Sequence, residues 1–325
     1  MACSPNNLLP GLVTLTASLA LFPAFIGLLK RQPWRHEVRE DVPASHAVKR
    51  GTPAMGGVLF VGLTLLVTLP CARFVPGELP MLCLTLLAFG LVGFVDDFAK
   101  VSGRKRGLRA REKLTFQFAA SAALALWALT MVPSSADAVR VPFARFEIVV
   151  GWLTFPFATL LLVGVSNAAN LNDGMDGLCA GLTLIALAAL GALGWRAGRA
   201  DLVVFAAALG GAVAGFLRYN AHPARVFMGD TGSLAIGGAV AMLAIMLRRE
   251  LWLALIALPW VLDTLSVMIQ VPCFKLTKRL TGTGRRVFPI TPIHHAFEQA
   301  GWSEWRVCAL FWAIGALGAA LSLLA

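Results

Sequence analysis

LPMLCLTLLAFGLVGFVDDFAK, residues 79–100, decides the fold class. From Leu79 to Val95 it carries no charge, and its length reaches the ~17–25 residues that a helix needs to cross a hydrocarbon core. It then closes abruptly on Asp96-Asp97-Phe98-Ala99-Lys100. Apolar runs of this kind recur along all 325 residues, 58% of which are apolar and 14% charged. An ordinary soluble domain sits nearer ~45–50% and ~25%. The composition excludes a soluble globular enzyme, a disordered chain and a disulfide-stapled secreted module. It predicts an all-α polytopic membrane protein with about ten transmembrane helices, organised as a single integral-membrane domain over 1–325.

Working outward from that stretch, the spans fall at roughly 8–29, 53–72, 79–95, 114–132, 148–165, 177–195, 202–217, 233–247, 251–271 and 307–325. Lys plus Arg total 28 against 17 Asp plus Glu, a formal charge of +11. Such a balance can mean nucleic acid, but these bases sit in short loops between spans, and no nucleic-acid partner is expected. The loops after odd-numbered spans hold 21 of the 28 basic residues. The positive-inside rule therefore places those loops in the cytoplasm and both termini on the outer, periplasmic side. No charge precedes the first span and Lys30-Arg31 follow it, so a cleavable signal is not expected. The six cysteines form no CxxC pair and read as small buried hydrophobes.

The polar residues gather in the odd loops. Asp96 and Asp97 end a helix, where the negative end of the macrodipole disfavours both, and they repel each other unless a cation such as Lys100 is near. A divalent ion or a proton-abstraction role explains such a pair. The fifth span runs into Ser166-Asn167-Ala168-Ala169-Asn170-Leu171-Asn172-Asp173-Gly174-Met175-Asp176-Gly177, where capping accounts for one Asp, Asp176 as N-cap of the sixth span, but not for the rest. Phe227-Met228-Gly229-Asp230-Thr231-Gly232-Ser233 opens the eighth span. On the same face as the other acidic loops, Asp230 reads as a metal ligand, since Mg²⁺ takes one or two carboxylates together with phosphate oxygens and waters. Bases for a diphosphate lie in the same loops: Lys100, Arg104, Lys105, Arg106, Arg109, Arg111 and Lys113, with Lys49 and Arg50 before Gly51-Thr52-Pro53. Thr52 there reads as an N-cap with Pro53 at the first helical position. In Pro292-Ile293-His294-His295-Ala296-Phe297-Glu298, the paired imidazoles can hydrogen-bond phosphate or sugar, or exchange protons; the spacing is not that of a zinc site. Asp263, inside the ninth span, is a functional candidate by default, though pairing with Lys275 or a neighbouring helix would be enough to explain it.

With these motifs side by side the chain resembles the polyprenyl-phosphate N-acetylhexosamine-1-phosphate transferases, and within them the phospho-N-acetylmuramoyl-pentapeptide transferase branch. The matching stretches are Arg39-Glu40-Asp41 with Ser45-His46, Gly51 through Gly57, the Asp96-Asp97 segment, Asn167 through Gly181, Phe227 through Ser233, and Thr264 through Val267 with Phe274-Lys275-Leu276. The last, Pro292 through Trp302 and Glu304, points to the muramoyl-pentapeptide branch over the GlcNAc branch. The resemblance implies an enzyme of the bacterial inner (cytoplasmic) membrane, dependent on Mg²⁺, that moves phospho-MurNAc-pentapeptide from its UDP carrier to undecaprenyl phosphate. Lipid I and UMP would be the products, the bilayer and both substrates the partners, and a homodimer an assembly the sequence does not decide. It also implies Asp96, Asp97, Asp230 and His294 as catalytic, Asp230 and Asp97 as metal ligands, and Lys100, Lys113, Asn167, Asn170, Asp173, Asp176 and His295 as substrate-binding.

The sequence departs from the family pattern at four places: Ala296 where a third His is usual, Ala54 and Asn172 where Thr is common, and Asp263 where Glu is common. Two other readings compete. One is a GlcNAc-1-phosphate transferase of the same superfamily. The other is a proton- or ion-coupled transporter using Asp263 and the Asp clusters, against which stands the cytoplasmic placement of nearly every polar motif, since a carrier should show polar groups near the bilayer midplane.

Overall fold

A computed structural model describes residues 3–31, 51–75, 77–102, 107–131, 138–144 and 146–324. Arg39-Glu40-Asp41, Ser45-His46, Lys49, Arg50, Arg104, Lys105 and Arg106 lie outside the described residues. The chain is helical nearly throughout: α1 (Leu9–Arg31), α2 (Gly56–Cys71), α3 (Leu79–Val101), α4 (Ala110–Met131), α5 (Thr154–Asn172), α6 (Leu178–Arg196), α7 (Ala200–Asn220), α8 (Gly229–Met246), α9 (Leu253–Ile256), α10 (Leu258–Thr281), α11 (His294–Gln299) and α12 (Glu304–Leu323). A two-stranded antiparallel hairpin, β1 (Ala138–Arg140) with β2 (Glu147–Val149), interrupts the connection between α4 and α5. The sequence pattern did not predict it, because three-residue strands leave no readable alternation.

Each predicted span coincides with a helix, the ninth being split between α9 and α10. Among the described residues, seven of these helices (α1, α3, α5, α6, α7, α8 and α12) are long and apolar enough to cross a membrane, and α2 is a shorter apolar helix. Several boundaries move in one direction. α3 runs on to Val101 and α5 to Asn172, so Asp96, Asp97, Lys100, Asn167 and Asn170 lie on helices rather than in loops. α10 runs to Thr281, and α11 forms within the stretch expected to be loop from 272 to 306.

α8 is the centre of the packing. Sixteen consecutive residues, Thr231–Met246, are buried, and α3, α5, α2 and α6 pack around it. Apolar surface gives no drive for association between helices in lipid, so close approach through small residues carries the packing. A β-carbon on Gly93 of α3 would overlap the carbonyl oxygen of Asp230, and one on Gly57 of α2 would overlap the backbone of Gly232. The buried face of α3 runs Leu82, Leu86, Phe89, Gly93 and then Asp96-Asp97. This is helical spacing, and it carries the two carboxylates onto the side that meets the start of α8.

The segment before α2 departs from expectation. Thr52 does not cap a helix beginning at Pro53. Instead Pro53 accepts a hydrogen bond from Phe227 N (2.9 Å), and Gly56 N donates to Phe227 O (2.8 Å). α2 begins only after Met55, which takes a left-handed conformation (φ 72°). These backbone bonds lash the connection before α2 to the one before α8.

The starts of α2, α4, α6, α8 and α12 and the ends of α3, α5 and α7 thus meet at one end of the bundle. At the other end Arg199 pairs with Glu78 and Asp201 and donates to Met246 O. That cluster ties the start of α3, the start of α7 and the end of α8 together.

Gly93→Ala is the direct test of the close approach. The added methyl forces α3 away from α8 and is expected to destabilise the fold by about 1–3 kcal/mol. It should lower the thermal midpoint in detergent, whereas Gly62→Ala, which meets nothing within 4 Å, should leave it unchanged.

Candidate active site

Three carboxylates and two ammonium groups converge where α3, α4 and α8 meet. Asp96 and Asp97 come from the last turns of α3, Lys113 from the first turn of α4, and Asp230 from the first turn of α8. Lys100, one turn beyond Asp96, lies 2.8 Å from Asp96 Oδ2 and 3.0 Å from Asp230 Oδ2. Lys113 Nζ lies 2.7 Å from Asp230 Oδ2 and 3.8 Å from Asp96 Oδ2. Asn170, near the end of α5, donates to Asp230 Oδ1 (2.8 Å) and Ser233 Oγ (2.8 Å).

Asp97 is held differently. Its Oδ1 accepts from Asp230 N (3.1 Å), and its Oδ2 accepts from Thr231 N (2.9 Å) and Thr231 Oγ1 (2.7 Å). The first N–H groups of a helix have no partner within it, so Asp97 caps α8 from another helix. The positive end of the α8 macrodipole favours a carboxylate there and offsets the unfavourable end of α3. Asp96 Oδ1 meanwhile accepts from Leu108 N (2.7 Å), closing the described part of the α3–α4 connection.

One ligand oxygen from each of Asp96, Asp97 and Asp230 lies within 4.8 Å of the others. An all-oxygen set of this kind suits a hard cation such as Mg²⁺, and the three residues fit that group. Asp96 Oδ2 and Asp230 Oδ2 point at the lysines rather than into backbone, which leaves them available for exchange when an anionic ligand draws the ammonium groups away.

The other predicted residues fall into separate clusters. Asn167 Nδ2 donates to Gln117 Oε1 on α4 (2.9 Å) and to Val163 O (2.8 Å), so it joins α5 to α4 instead of reaching Asp230. Asp173 is the C-cap of α5. Asp176 does not cap α6: the N-cap is Gly177, which takes the left-handed conformation (φ 78°) that a glycine tolerates. The Asp176 carboxylate turns instead toward His222 Nδ1 (3.0 Å) and Ala224 N (3.0 Å), and its backbone N–H donates to Glu304 Oε2 (3.3 Å). His222 drew no attention in the sequence, because it sits in no recurring pattern and its partner is distant in the chain; Glu304 entered only as part of the family match that begins at Pro292.

Asp263 does not pair with Lys275. Its carboxylate meets His294 Nδ1 (2.7 Å) and Asn172 Nδ2 (2.6 Å). Since Asn172 ends α5, α10 has already reached the level of the acidic site by its sixth residue. His295 Nδ1 lies 3.3 Å from Glu298 Oε2, and the two imidazole rings are 4.2 Å apart. A β-carbon on Gly174 would lie 2.7 Å from His294 Nε2 and 3.0 Å from His295 Nε2. The turn after α5 therefore passes directly over both imidazoles, and only a glycine fits there.

A carboxylate and ammonium cluster at one end of a membrane-type helical bundle fits an enzyme that handles phosphorylated substrates. Residues 79–248, the part of the chain that contains Asp96, Asp97, Lys113, Asn170 and Asp230, match glycosyl transferase family 4. Residues 49–61 match the phospho-N-acetylmuramoyl-pentapeptide-transferase signature 1. Curated proteins named phospho-N-acetylmuramoyl-pentapeptide-transferase are similar over nearly the whole length. That of Geobacillus kaustophilus is 42% identical over 316 residues, 96% of this chain and 95% of the relative. That of Bacillus subtilis is 42% identical over 311 residues, 94% and 93%, and that of Halalkalibacterium halodurans 41% over 324 residues, 97% and 96%. The chain belongs to the phospho-N-acetylmuramoyl-pentapeptide-transferase family.

Gly174→Ala tests the turn over the histidines. Its methyl must push both imidazoles aside, and transferase activity is expected to fall by roughly tenfold or more, the equivalent of about 1.4 kcal/mol in the barrier, with circular dichroism unchanged. Activity equal to wild type would mean that the imidazole positions do not matter to turnover.

Proposed function

We propose that this protein transfers phospho-MurNAc-pentapeptide from UDP-MurNAc-pentapeptide to undecaprenyl phosphate, yielding lipid I and UMP, at the cytoplasmic face of the bacterial inner membrane. The observation that carries this reading is the convergence of Asp96, Asp97 and Asp230 with Lys100 and Lys113. It is supported by the family relationship and by the bias of basic residues to the same end of the bundle. The whole chain, 1–325, acts as one membrane-embedded unit in this reading.

The chemistry follows from the charges. A phosphate oxygen of the lipid attacks the sugar-linked phosphorus of the UDP substrate, and the bond from that phosphorus to the bridging oxygen breaks as UMP leaves. Nucleophile and electrophile are both anionic, so the first task is to bring them together. Lys100 and Lys113, now held by Asp96 and Asp230, turn to the diphosphate and lower its repulsion toward the incoming phosphate. Asp230 and Asp97, with Asp96 beside them, would hold Mg²⁺. When bound, the ion screens the diphosphate and stabilises the charge of the departing phosphate.

Direct attack is favoured over a covalent enzyme intermediate because the lipid phosphate is a competent nucleophile once positioned. Asp96 is the candidate to take any proton from it: its Oδ2 faces Lys100 and Lys113, whereas both oxygens of Asp97 accept from the backbone of α8. Asn170 orients Asp230. Asn167 keeps α5 on α4, behind the site. Asp173, Asp176, His294 and His295 line the turn after α5 and receive the nucleotide-sugar.

Purified protein in undecaprenyl phosphate micelles with Mg²⁺ should release UMP from UDP-MurNAc-pentapeptide. Release from UDP-GlcNAc alone would move the protein to the GlcNAc-1-phosphate transferases, and solute flux in proteoliposomes without a phosphodiester product would make it a transporter. Chelation with EDTA should abolish turnover and added Mg²⁺ restore it. Asp230→Asn is expected to lower kcat by about 100-fold or more, the scale of removing one group that stabilises transition-state charge; near-normal activity at saturating Mg²⁺ would contradict its assignment.

A further inference from the structure

Asp263, Asn172 and His294 form a buried unit that the acidic cluster does not explain. Asp263 and His294 are both fully buried. Every contact made by the Asp263 carboxylate is with a donor. Its Oδ1 accepts from the backbone N–H of His294 (3.2 Å), and its Oδ2 from Asn172 Nδ2 (2.6 Å) and from His294 Nδ1 (2.7 Å). An ionised carboxylate can only accept, so in a neutral His294 imidazole the proton belongs on Nδ1. The other ring nitrogen, Nε2, then carries a lone pair.

That Nε2 is buried and meets no hydrogen-bond donor of the protein. It faces the α-carbon of Gly174, in the turn that follows Asn172 and Asp173. Leaving a buried acceptor unmatched is unfavourable, and a β-carbon at 174 would come within 2.7 Å of it. The ring is fixed on its remaining sides by Asp263, by the His295 ring and by an edge contact with Phe311. An acceptor so fixed and left unmatched is built to receive a donor from outside the chain.

We propose that Asp263 is a positioning residue of the transfer reaction: it fixes His294 as the Nδ1–H tautomer, so that Nε2 accepts a hydroxyl or amide N–H of the nucleotide-sugar substrate. His294 then serves as a hydrogen-bond acceptor for a neutral group and not as a cationic ligand for phosphate. Asn172 supports the arrangement by holding the same carboxylate oxygen from the end of α5. The inference rests on the transferase reading for its substrate but not for its tautomer.

Two measurements decide it. The first needs no turnover. In full-length protein labelled with ¹⁵N-histidine, which contains five histidines, the signal lost in His294→Ala identifies that residue. Wild type should show a pyrrole-type Nδ1 and a pyridine-type Nε2 at His294, Asp263→Glu should keep that pattern, and Asp263→Asn should lose it. A protonated Nε2 in the wild type would overturn the proposal.

The second is a kinetic cycle on UMP release, with thermal unfolding followed in parallel. Asp263→Asn should lower kcat/KM by roughly 100-fold or more, as wrong-tautomer substitutions do elsewhere, and Asp263→Glu should recover most of it. In a His294→Ala background, Asp263→Asn should change kcat/KM by less than about threefold, because residues acting as one unit are not additive. An equal loss in both backgrounds, at matched stability, would mean that Asp263 does not act through His294. A wild type that released no UMP would overturn the transferase reading instead, and the tautomer would still decide the relay.

Discussion

The cap that Asp97 places on α8 is the contact on which the rest of the site depends. A carboxylate at the end of α3 stands in the wrong field, and a second one beside it makes matters worse. α8 supplies the remedy from the opposite direction: its first N–H groups and the Thr231 hydroxyl enclose Asp97, and Asp230 is carried in on the same turn. Helix formation in α8 and placement of Asp230 are therefore one event. Three carboxylates against two ammonium groups leave one formal negative charge, which the partial positive charge of the α8 terminus only half balances. The site thus keeps an excess of negative charge that favours a cation.

Bringing the two helix ends to hydrogen-bond distance demands that the backbones nearly touch. Gly93 against Asp230 O and Gly57 against Gly232 make this possible, and the bonds between Pro53, Gly56 and the 227–228 segment fix the third helix. The same stretches that looked chemical in the sequence are thus also the ones that seat α2 and α3 on α8. At the far end Arg199 joins Glu78, Asp201 and Met246 O. α3, packed along α8 between these two anchors, cannot slide without breaking charged contacts at both ends.

Much of this was legible. Apolar run length located the long helices, though not the short α11, and the alternation of basic loops sorted their ends into two groups, because both signals are local and obey the bilayer's dimensions. Helix ends were less legible. Asp96, Asn167 and Asn170 look like loop residues by polarity, yet the helices continue through them, since polar side chains are tolerated wherever they turn toward other polar groups. Partners were the least legible. For Asp263 proximity in sequence offered Lys275, with a neighbouring helix as the alternative; α10 carries Lys275 three turns onward, and the partners come from the neighbouring α5 and α11. Asp176 likewise reads as a cap only until the 221–224 segment is seen to lie against it.

One signal for the buried relay was nevertheless present in the sequence, in its departures from the family it resembles. Asn172 stands where Thr is common and Asp263 where Glu is common, and in this fold the two are hydrogen-bonded to each other at 2.6 Å. Replacing Glu by Asp withdraws the carboxylate by one methylene; replacing Thr by Asn extends the opposing donor by about the same reach. In this chain the shorter carboxylate and the longer amide meet directly between α5 and α10. The pairing also explains why His294 keeps its position: the oxygen that holds its Nδ1 is the one that Asn172 holds from the other side. Two residues that the sequence marks as departures thus meet, in three dimensions, in one buried hydrogen bond between α5 and α10.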